Sequence, residues 1–161
     1  MNEKPQRQPP PARQSSQQPS QPLKTESKPT ILPPTYTQTT SPESFPNPAH
    51  GNLTWHTLIS RPQTCSSDLS AGIAVCPPRT GRLCPHRHAQ AEIYYILAGE
   101  GEVSIDGVVG RVQAGSTVFI PSDAQHGIVN VGEGELRWFY VFPTGSFGDV
   151  IYRFAEDRAK L

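Results

Sequence analysis

Between Leu53 and Phe142 turn residues cut the chain into short β-type runs, and this rhythm restricts the fold more than any other feature. The runs read as Leu53–Ile59, Leu69–Val75, Leu83–His88, Ile93–Leu97, Glu102–Ile105, Val108–Val112, Thr117–Ile120, Gln125–Val131 and Leu136–Phe142. Cys76-Pro77-Pro78, Gly99-Glu100-Gly101, Asp106-Gly107, Ala114-Gly115, Pro121-Ser122-Asp123 and Gly132-Glu133-Gly134 separate them, and Asp-Gly is a strong hairpin signal. Only Ala155–Lys160 reads as helix. Many short strands with almost no helix must stack as two sheets or close on themselves to bury one face. The expected fold class is therefore all-β, a sandwich or small barrel.

Met1 to His50 does not share this rhythm. It is dense in Pro, Gln, Ser and Thr, with Pro9-Pro10-Pro11 and Pro33-Pro34 among its runs and Ile31-Leu32 its only adjacent aliphatics. Such a segment buries too little apolar surface to offset its ordering entropy, so residues 1–50 are expected to be a disordered leader. It has no apolar stretch of the secretory-signal type, and its prolines argue against an amphipathic transit helix. The barrel domain is expected over 51–161. A domain of that size buries a modest core, so pairing into a homodimer is expected.

The 161 residues carry no net charge, and no Lys/Arg cluster marks the folded part, which argues against a nucleic-acid partner. No apolar run approaches the roughly twenty residues of a bilayer span, so no membrane partner is expected. Cys65, Cys76 and Cys84 show no CxxC spacing and read as reduced thiols of an intracellular, cytoplasmic protein.

Four ligand-type residues stand out: His86-x-His88-x-x-x-Glu92, and later His126. Residues two apart on a strand share a face, so His86 and His88 project together. Glu92 is an even number of residues from both, with Ala89–Ala91 allowing a bend, and His126 must come from another strand. Imidazoles with one carboxylate suit Fe(II), Mn(II), Ni(II), Cu(II) or Zn(II).

These residues sit in two longer patterns. His86-x-His88-x3-Glu92-x6-Gly99 resembles the first motif of the cupins, and Gly115-x5-Pro121-x4-His126-x3-Asn130 resembles their second. The chain departs from the family at Gly81, one residue too near His86, and at Asp123, where the family has glycine. The resemblance implies a single jelly-roll barrel with one divalent metal, Fe(II) favoured, held in its mouth by His86, His88, Glu92 and His126. The sequence is also similar to small fungal monocupins encoded beside polyketide synthases. That likeness implies a metal-dependent oxidoreductase acting on a small organic molecule, a polyketide-type intermediate of secondary metabolism. The alternatives are a non-redox lyase, isomerase or cyclase, and a cupin that binds a small molecule without chemistry.

Around the ligands, Tyr94 shares Glu92's face and is the candidate proton carrier, or else an aromatic wall. Certain cupin lyases acting on sulfonium compounds have a tyrosine at this spacing, which keeps elimination open. Trp138 and Tyr140 share one face of the last core strand and are candidate substrate walls. Arg82 has the parity of Cys84 and His86 and is a candidate for binding a substrate carboxylate. Cys84 reads as a small buried residue, Arg87 as an outward charge and His50 and His56 as non-ligands. Tyr152 joins the site only if the tail folds over the mouth.

Overall fold

The computed structural model describes residues 27–155. Ten strands follow in chain order: β1 Thr54–Ile59, β2 Ser70–Cys76, β3 Arg82–Arg87, β4 Glu92–Ala98, β5 Glu100–Ile105, β6 Val108–Gln113, β7 Thr117–Ile120, β8 His126–Asn130, β9 Leu136–Phe142 and β10 Arg153–Phe154. They form two five-stranded antiparallel sheets, β1-β2-β9-β4-β7 and β10-β3-β8-β5-β6. No helix among the described residues is long and apolar enough to cross a membrane.

The sheets face each other over the alternate side chains that each core strand buries. Along β9 every second residue, from Leu136 through Trp138 and Tyr140 to Phe142, is buried. Glu92, Tyr94 and Ile96 of β4 point the same way, and Ile93, Tyr95 and Leu97 point out. Leu83, Val103 and Ile128 meet them from the second sheet. This is the core of a jelly-roll sandwich, with the period of two expected of strands solvated on one face.

Several turns carry residues in the left-handed region, among them those at Asp106-Gly107 and at Asp123. Asp106 (φ 46°) and Gly107 (φ 86°) join β5 to β6, the turn form that the Asp-Gly pair favours. Asp123 (φ 59°) sits where the family has glycine; a short polar side chain tolerates that conformation. The Asp123 N–H donates to the His88 carbonyl (2.9 Å), so this turn holds the backbone of one candidate ligand. Arg153 pairs with the Asp123 carboxylate and fastens β10 beside it.

Asn130 ends β8 as a buried staple. Its amide nitrogen donates to the carbonyls of Cys76 (3.2 Å), Pro77 (2.9 Å) and Gly134 (2.8 Å), and its oxygen accepts from the Gly132 N–H (2.9 Å). Asn130→Ala should cost about 2–4 kcal/mol, because it orphans buried backbone groups. The expected readout is a fall in Tm of roughly 10 °C; an unchanged Tm would show that other groups satisfy these carbonyls.

Part of the expected leader belongs to the fold. Glu43 and Trp55 exchange backbone hydrogen bonds (2.7 and 3.0 Å), and Phe45 packs on the core. Gly51 bridges to Leu83 on the other sheet, at φ 143° and so close that a Cβ would lie 2.5 Å from the Arg82 carbonyl. The boundary placed at Gly51 is therefore corrected: the segment from Glu43 on lies against the barrel, held by Phe45, by His50 stacked on Phe154 and by hydrogen bonds of Glu43. Residues 1–26 lie outside the described residues, as does all of the expected helix beyond Ala155.

Candidate metal centre

His86 and His126 are opposite each other on β3 and β8, His88 follows the end of β3, and Glu92 opens β4. All four are buried. One ring nitrogen from each histidine lies within 4.8 Å of the others, so the three histidines can hold a metal ion. The Glu92 Oε2 lies 3.3 Å from Nε2 of His88 and 3.3 Å from Nε2 of His126.

The backbone sets the tautomers. Each Nδ1–H donates to a carbonyl: His86 to Cys84 (2.9 Å), His88 to Gln90 (2.8 Å) and His126 to Ala124 (2.9 Å). A carbonyl only accepts, so the proton is on Nδ1 and the Nε2 lone pair is free. Nε2 of His86 and of His126 find no hydrogen-bond partner among the described residues. Burial, then the neighbouring His126, holds the His86 imidazole well below its usual pKa, which keeps it neutral. Buried acceptors facing one another and a carboxylate are costly until a cation lies among them. The donor set thus fits a divalent ion.

Beside the cluster a narrow cavity opens between the sheets. Glu92, Tyr94, Trp138 and Tyr140 line it from the first sheet. Tyr94 is fully enclosed. Burial first, then the Glu92 carboxylate with which its hydroxyl hydrogen-bonds, pushes its pKa well above 10.0, so at rest it is a neutral phenol donating to Glu92. Burial raises the Tyr140 phenol too, and its hydroxyl lacks a well-formed hydrogen bond among the described residues.

Arg82 does not reach this cavity. β3 and β8 lose register between Leu83 and His86, where three steps on β3 face two on β8. This bulge falls at Cys84-Pro85, where proline has no N–H to give the ladder, and Gly127 opposite leaves room: a Cβ there would meet the Leu83 carbonyl at 2.9 Å. The extra residue reverses the parity, so Leu83 and His86 point in and Arg82 points to solvent. The expectation that Arg82 binds a substrate carboxylate is corrected for that reason.

The tail does fold over the mouth. Tyr152 stacks on His86 (centroids 4.6 Å, 21° between planes) and meets His88 edge-on at 5.5 Å. Burial raises its phenol well above the usual value. Phe45, Trp55 and Phe147 also line the cavity and were missed by sequence reasoning. Trp55 was within reach of a parity argument along β1; Phe45, alone among prolines, gave no periodic signal. His50 stacks on Phe154 (3.8 Å), and His56 Nδ1 lies 3.1 Å from Thr40 Oγ1; neither joins the cluster.

Comparison with known proteins agrees with this architecture. The cupin domain family model matches residues 72–142. Dimethylsulfoniopropionate lyase DddW of Ruegeria pomeroyi is 43% identical over 108 residues, spanning 67% of this chain and 70% of that protein. Among solved structures, the polyketide cyclase RemF of Streptomyces resistomycificus superposes with a TM-score of 0.63 at 21% identity, over 78% of this chain and 86% of that one. At that identity the likeness concerns the fold. A predicted oxalate decarboxylase of Thermotoga maritima superposes with a TM-score of 0.59 at 27% identity, over 67% and 96%. The chain belongs to the cupin superfamily.

Proposed function

We propose that this cupin is a metal-dependent lyase that cleaves dimethylsulfoniopropionate, or a closely similar sulfonium carboxylate, by β-elimination. The observation that carries the reading is the 43% identity with DddW over two thirds of the chain. The site supports it. Its three imidazoles and Glu92 fit one divalent ion, and Tyr94 lies beside Glu92 inside a narrow cavity.

A divalent cation at this centre supplies positive charge that polarises a carboxylate and lowers the pKa of an acid beside it. The chain's own residues do the rest. The substrate's carboxylate end faces the imidazole cluster, and its sulfonium end faces the aromatic wall. Tyr94 first passes its phenol proton to the Glu92 carboxylate it bonds to, which later releases it to solvent, and Tyr94 Oη then takes a proton from the carbon next to the carboxylate. That C–H electron pair becomes the new C=C bond, the bond from the β-carbon to sulfur breaks, and dimethyl sulfide leaves with that bond's electrons. The products are acrylate and dimethyl sulfide, with the proton on Tyr94. Trp138 and Tyr140 exclude water from the reacting carbons.

Elimination consumes no oxidant, which separates it from the oxidoreductase reading drawn from the monocupin likeness. The full chain, loaded with Fe(II) or Mn(II) without oxygen, should release acrylate and dimethyl sulfide in equal amounts from dimethylsulfoniopropionate. A strict need for oxygen, with an oxygenated product, would move the assignment to a redox enzyme. Tight binding with the ligand returned unchanged would make the chain a binding module.

A further inference from the structure

The segment 43–50 crosses the open side of the sandwich. It is fastened to the edge of the first sheet by the Glu43–Trp55 bridge and by the Thr57 N–H, which donates to Glu43 Oε1 (3.0 Å). Just past its other end, the Asn52 N–H donates to the Arg82 carbonyl (3.1 Å), and the Arg82 N–H donates to Asn52 Oδ1 (2.9 Å). Between these anchors Phe45 turns into the cavity.

There it closes a ring of four aromatics. Successive centroids are 4.9 Å apart from Phe45 to Trp55, 6.1 Å from Trp55 to Phe147, 6.3 Å from Phe147 to Tyr152 and 5.5 Å from Tyr152 back to Phe45. Neighbouring planes are inclined by 54° to 75°, so the rings meet edge to face around a common centre and do not stack as a slab. Among the described residues, Glu92 is the one charged side chain lining the cavity, and no Lys or Arg does. A group inside the ring lies within about 6 Å of every centroid, the reach of a cation–π contact. Aromatic rings that converge beside a single carboxylate suit a soft cation.

We propose that this segment is a wall of the site and that Phe45, with Trp55, Phe147 and Tyr152, forms a cage that selects an onium group over a neutral group of the same shape. The proposal rests on the sulfonium reading above and names the residue, outside the matched cupin core, that sets its specificity.

Two probes of the same shape isolate the charge: 3-(trimethylammonio)propanoate and its carbon isostere 4,4-dimethylpentanoate. Calorimetric titration of the full, metal-loaded chain should give about tenfold tighter binding of the onium probe. In Phe45→Leu, which keeps apolar volume without a π face, the preference should fall to threefold or less with the isostere's Kd unchanged. Phe45→Tyr should keep it. Equal affinities in the unaltered chain, no binding of either probe, or equal weakening of both by Phe45→Leu would overturn the proposal, the last by making Phe45 a packing residue. The two readings fail separately: acrylate release without onium preference removes the cage alone, and onium preference without acrylate release removes the lyase alone.

Discussion

His88→Ala should lose stoichiometric metal and with it all acrylate release, while the barrel stays folded. His88 lies just past β3, so its ring is not part of the ladder that pairs the sheets. Its Nε2 faces Glu92 Oε2 at 3.3 Å, and its Nδ1–H is held by the Gln90 carbonyl. Removing it takes one of three convergent imidazoles. Loss of a supporting hydrogen bond to a ligand already costs 10–100-fold in metal affinity, so loss of the ligand should exceed about 100-fold. The apo protein should change little in Tm, because the substitution also removes a buried lone pair facing a carboxylate. Elemental analysis with a thermal melt checks both parts. Full metal content in the variant would show the ligands to be elsewhere; a collapsed melt would mean His88 holds the fold itself.

Tyr94→Phe should lower the rate of elimination about 10²–10⁴-fold, the range for a proton carrier, with metal content and fold retained. The substitution removes one oxygen from a ring that is 1% exposed and packs against Trp138 at 5.5 Å. What is lost is the hydroxyl that bonds to Glu92. A wall role would predict a higher KM and a nearly unchanged kcat; a proton-transfer role predicts loss of kcat with KM nearly constant. Steady-state kinetics on metal-matched protein separate these. A variant with near-normal kcat would move the base to another group, Tyr152 first, since it stacks on His86 at the same mouth.

The nine core strands were legible because they are short runs, many rich in β-branched and aromatic residues, bounded by turn residues, as β4 and β9 illustrate. The convergence of His86, His88, Glu92 and His126 was legible as a motif, since residues two apart on a strand share a face. Parity failed at Arg82, and the sign of failure was in the sequence: Pro85 inside a strand marks a bulge, and a bulge reverses the faces before it. Phe45 was not legible. A strap held by two rings and a few hydrogen bonds has no period, and proline-rich surroundings read as solvent-exposed. The reaction class was not legible either, because the same four ligands serve oxidation, elimination and storage; the relative's identity narrows it.

The central claim is elimination at a metal held by this cluster. The most direct test is acrylate release from dimethylsulfoniopropionate by the chelated full chain, titrated with metal under nitrogen. The account predicts no release at zero metal, a linear rise, and saturation at one equivalent per chain. Full activity in the chelated protein, or no acrylate at complete metal occupancy, would contradict it.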